Sequence, residues 1–158
     1  MRFQHIEAAF DVCRKHKTAA VNAGLDSFQV KEIEHYLLRA MVLLIISQYE
    51  DYIEKLFVKR ADKAGDAEIR GMIAKFVDRR FRSPDLGKIN EVLTSLSKTC
   101  CSNFQGQVET KQPQVKAAWD NLMAARQAIA HRANGGAVSL TWTDLEQAYE
   151  DSIRVLQA

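Results

Sequence analysis

Residues 28–63 contain neither proline nor glycine, and Val30, Ile33, Leu37, Ala40, Met41, Leu44 and Ile45 recur there at helical spacings. The pattern predicts one long helix. Its middle, "MVLLII" at 41–46, is apolar on every side rather than along one stripe. Such a helix is expected to be enclosed by other helices or by a second subunit. The run is far shorter than the roughly 20 residues a bilayer span requires, so no membrane partner is expected.

The rest of the chain has the means to surround that helix. Only two prolines and seven glycines interrupt its 158 residues. A first helix is predicted over 2–22 from Phe3, Ile6, Phe10 and Cys13, and after "GLDS" either Asp26 or Ser27 can cap the long helix. A third is expected at 66–80, closed by the turn "RFRSPD", because the residue before proline resists the helical region. A fourth covers 86–98, and a fifth covers 114–133 up to the stop at Asn134-Gly135-Gly136. The intervening "TCCSNFQGQVETKQPQ", 99–114, reads as a long loop, and "AVSLTW", 137–142, as at most a short extended piece. Thr143 and Glu146 have the spacing of a capping box that opens a last helix through Ile153 and Leu156. The fold class is therefore all-α, an up-and-down bundle of five to six helices in one domain over 1–158.

Charge narrows the partners. With 22 basic and 20 acidic side chains the net charge is +2, so any polyanion site must be a local patch. The start, "MRFQHIEAAFDVC", lacks the apolar core of a signal peptide. Three cysteines, two of them adjacent, suit neither a disulfide framework nor a zinc pair. A cytoplasmic setting is expected. His5, His16 and His35 lack helical metal-pair spacing, so neither metal nor cofactor is proposed.

The fifth helix carries one discordant residue. Counting 100° per residue, Val115, Trp119, Leu122, Met123, Ile129 and Ala130 fall within roughly 120°, and Arg126 projects from the middle of them. Beside that arc Lys116, Asp120, Gln127 and His131 form a narrow polar stripe. The remaining surface is mostly alanine, as in a helix packed on two sides. Arg126 can either pair with a carboxylate of the long helix (Glu50, Asp51 or Glu54) or leave the apolar face for the opening where His131 lies.

The segment "LMAARQAIAHRANGG" resembles the C-terminal motif of the HEPN domain superfamily, in which an arginine, a few residues and a histidine end a helix. The likeness extends in order along the chain. "LLRAMVLLIISQYEDYIEKLF" (37–57) is similar to the long second helix near the RiboL-PSP branch. "FRSPDLGKINEVLTSL" (81–96) is similar to its Phe-x-Ser-Pro turn and the helix after it, and "TDLEQAYEDSIRVL" to its closing helix. The resemblance implies a homodimer that brings two Arg/His pairs to one cleft and cuts RNA without metal, as a toxin or antiviral effector. A neighbouring gene would then encode an antitoxin partner. It assigns catalysis to Arg126 and His131. An imidazole can move the protons of 2′-hydroxyl attack near neutral pH, and a guanidinium can stabilise charge on the phosphoryl oxygens.

Three positions depart from the pattern of the family or of some of its members. Gln127 stands where Asn, Asp or His is common, and can hydrogen-bond but not shuttle protons. Arg132 stands where many active members have Gly, and either adds a phosphate contact or crowds the cleft. Ala133 replaces the Tyr of members silenced by AMPylation. Glu50 is expected either at the surface or as a support holding Arg126. Arg79, Arg80 and Arg82 around Phe81 form either an RNA-backbone patch or a cationic helix end favoured by the dipole. Two other functions fit the same residues: a non-catalytic module binding nucleotide, RNA or a partner, and a helical interaction protein with a structural Arg126.

Overall fold

The long pattern forms a single helix, α2 (Ser27–Asp62), and Asp26 is its cap. The Asp26 carboxylate accepts from the amides of Phe28 and Gln29 at 2.9 and 2.8 Å, and the Gln29 side chain accepts in return from the Asp26 amide at 3.2 Å. The reciprocal bonds satisfy amides that have no partner inside the helix. Before it runs α1 (Gln4–Asn22), and the connection turns at Gly24, whose φ of +74° lies in the left-handed region that favours glycine. The computed structural model describes residues 2–63, 65, 67–68, 71, 75, 84–131 and 140–158. Most of the expected 66–80 helix, the start of the turn after it and the stop at 134–136 lie outside these residues.

The second half holds α3 (Leu86–Leu96), α4 (Lys98–Gln105), a π-helical turn (Gly106–Lys111), α5 (Pro113–His131), α6 (Trp142–Ser152) and a closing 3-10 turn (Ile153–Gln157). The fold is an all-α bundle, with no strand among the described residues. Its core gathers Ile6 and Phe10 of α1, Met41, Val42, Ile45 and Tyr49 of α2, Trp119 and Leu122 of α5, and Leu145 of α6.

Two expectations about where helices begin and run fail. The loop expected at 99–114 is mostly helical. Ser97 ends α3 and caps α4, its hydroxyl accepting from the Cys100 amide at 3.4 Å. Cys101, Phe104 and Val108 then bury at spacings of three and four, a helical period obscured by the polar residues between them. The second failure is the last cap. Thr141, not Thr143, is extended and starts α6, with Asp144 as its reciprocal partner. Glu146 instead pairs with Arg14 at 2.6 Å and accepts from the Trp142 indole at 2.9 Å.

The Thr141 hydroxyl and amide donate to Asp144 at 2.7 and 3.0 Å, and the hydroxyl contact above all holds its carboxyl below the ordinary aspartate range. The lowered folded value means that Asp144 adds stability in full above about pH 4, and that this is lost as pH falls through the folded value. Asp144→Asn is expected to flatten that part of the acid limb. Thermal melts at stepped pH check it, and parallel acid limbs for parent and variant would contradict the assignment.

The middle of α2 is not enclosed on every side by this chain. Met41, Val42, Ile45 and Ile46 are buried, Leu44 is half-buried, and Leu43 is 45% exposed. On α5 the buried arc is Val115, Ala118, Trp119, Leu122, Met123 and Ala125, whereas Ala117, Asn121, Ala124 and Ala130 are exposed. Among the described residues one side of α5 is packed within the chain, not two.

Candidate functional site

Where α5 crosses α2, aromatic contacts set the geometry. The Tyr49 ring stacks on Trp119 with centroids 5.1 Å apart and planes 6° from parallel. The Trp119 indole donates to the Pro84 carbonyl at 2.9 Å, tying the crossing to the chain just before α3. The Tyr49 hydroxyl lies 2.8 Å from Ser152 Oγ and donates to the Tyr149 carbonyl at 3.3 Å. Burial pushes the Tyr49 phenol above its ordinary value, so it serves as a protonated hydrogen-bonding group and not as a base. Tyr149 fastens α1 in turn, its hydroxyl accepting from the Phe3 amide at 3.1 Å. No local sequence pattern singles these residues out as supports of the crossing. The signal available is Tyr49, three residues past the apolar run and facing the same core as Trp119.

One residue beyond Tyr49 on α2 stands Glu50. Two turns beyond Trp119 on α5, at i+7, stands Arg126. The crossing brings them together, with Arg126 Nη2 3.8 Å from Glu50 Oε1. Of the three carboxylates that α2 offered, Asp51 instead pairs along its own helix with Lys55 at 2.6 Å. The contact is long for a hydrogen bond, and the side chains keep 29% and 27% of their surface exposed. A partly exposed pair of this kind contributes on the order of 1 kcal/mol or less.

His131 is exposed in the last turn of α5. Five residues separate it from Arg126, which is about 7.5 Å along the axis and about 140° around it. Within one chain, therefore, Arg126 faces α2 while His131 faces outward. Gln127 is exposed between them, and the polar stripe is partly neutralised by the Lys116–Asp120 pair at 2.5 Å. Arg132, Arg79, Arg80 and Arg82 lie outside the described residues. Among the described residues no three His, Cys, Asp or Glu side chains gather as a metal site would need, and no helix is long and apolar enough to cross a membrane.

Chemically, one chain offers a phosphate-binding fork and a single imidazole on neighbouring turns. No family model matches the chain, and no curated protein or solved structure is significantly similar to it. The HEPN likeness thus rests on the quoted residues and their order.

Proposed function

We propose that this chain is a metal-independent endoribonuclease of the HEPN type, acting as a homodimer in toxin or antiviral defence. Arg126 and His131 would form the catalytic pair, with Glu50 positioning the arginine. The observation that carries the reading is the placement of Arg126. A permanent cation sits at the centre of a buried arc yet stays 29% exposed, one and a half turns from an exposed histidine.

The dimer reading draws on α2. Tyr36 is 63% and Leu43 45% exposed, and together with Glu50 they are spaced by seven residues, so they share one side of the helix. Covering that seam with a second copy would bury apolar surface beside the Glu50–Arg126 contact. It would also bring a second arginine and histidine near the first. RNA is the expected partner, and an antitoxin encoded nearby would fit a toxin role.

Purified protein incubated with total RNA in EDTA is expected to give fragments ending in 2′,3′-cyclic phosphate, to leave all-DNA substrate intact, and to scatter light as a dimer. A monomer mass at micromolar concentration, strict dependence on magnesium, or cutting of DNA would overturn the reading. The Glu50 contact favours a second one, in which Arg126 only fastens α5 to α2.

A further inference from the structure

A cavity of about 260 Å³ opens between the second half of α2, helices α3 and α4, and the closing 3-10 turn. Its wall is apolar, with Phe57, Leu93, Phe104 and Leu156 among its residues, and Leu56 and Leu96 are exposed large apolar side chains of the same wall. It shares no residue with the Arg126 site. Water gains few hydrogen bonds in such a space, so apolar ligands enter readily. By proportion with an engineered cavity of about 150 Å³ that holds six-carbon benzene, this one takes roughly ten carbons.

The charge in the wall selects the head group. Among the described lining residues Arg60 is the one charged side chain. A guanidinium is always charged, and its fork matches a carboxylate in two parallel bonds. Ser97 adds a hydroxyl donor to the same wall. We propose that this cavity binds a medium-chain aliphatic carboxylate, its tail among Phe57, Leu93 and Phe104 and its carboxylate on Arg60.

Cys100 lines the cavity and is exposed, whereas Cys13 and Cys101 are buried. Labelling of the native protein by an aromatic disulfide reagent therefore reads Cys100. Decanoate is expected to slow that labelling several-fold and saturably. In Arg60→Gln, half-protection should need roughly tenfold more decanoate, the loss expected for one charge-assisted contact. Decanol should protect parent and variant equally and weakly. Calorimetric titration of the parent with decanoate gives a second measure that needs no variant. Absence of both protection and heat, or equal protection by decanol and decanoate in the parent, overturns the assignment.

Discussion

Arg126→Ala is expected to remove RNA cleavage while leaving the fold almost as stable as the parent. A guanidinium aimed at charge that develops on phosphoryl oxygens is worth about 10²–10³ in rate when deleted. The structural effect should be small because the pair with Glu50 is 3.8 Å long and more than a quarter exposed on both sides. Its loss then costs on the order of 1 kcal/mol, or roughly 2–4 °C in melting temperature for a domain of this size. His131→Ala should behave alike in activity, losing about 10²–10⁴, with no change in melting, since its side chain is exposed. The opposite pattern has a different physical origin. If Arg126 serves only to balance Glu50 in a dry crossing, its removal strands a charge at about 3–5 kcal/mol. An Arg126→Ala variant that melts far below the parent but cleaves normally when folded would therefore end the catalytic reading and leave the structural one.

The largest effect on stability belongs to Trp119→Ala. Trp119 is fully buried and stacked on Tyr49, and truncating a buried tryptophan costs about 3–5 kcal/mol through lost transfer energy and the cavity left behind. The Pro84 carbonyl also loses the indole donor at 2.9 Å, which adds about 1–3 kcal/mol if nothing replaces it. Together these amount to a large fraction of the roughly 5–15 kcal/mol that holds a domain. Urea unfolding of Trp119→Ala should show a steeply lowered midpoint, and Trp119→Phe, which keeps a ring to stack, should retain most of the difference. A cost below about 1 kcal/mol for Trp119→Ala would mean that the crossing of α2 and α5 is held elsewhere.

Much of this fold is legible in the residues because helix formation is local and periodic. Spacings of three and four mark α1, α2, α3 and α5, and the cap of α2 is narrowed to Asp26 or Ser27 because a capping side chain reaches only its own next turn. Arg126 stands out for the same reason, as a cation inside a periodic apolar arc. The reading fails where the local signal is short or doubled. Cys101, Phe104 and Val108 give too few repeats to outweigh their polar neighbours, and Thr141 and Thr143 compete for one cap until the backbone at Thr141 proves extended. What no local pattern holds is the relation between helices. Glu50, Asp51 and Glu54 are equivalent candidates along α2, and only the stacking of Tyr49 on Trp119 turns Glu50 toward Arg126. The same crossing leaves Leu43 uncovered and puts His131 on the outer side of α5. A helix face is dictated by neighbours in sequence, whereas the partner of that face follows from a rigid-body fit of side chains far apart in the chain.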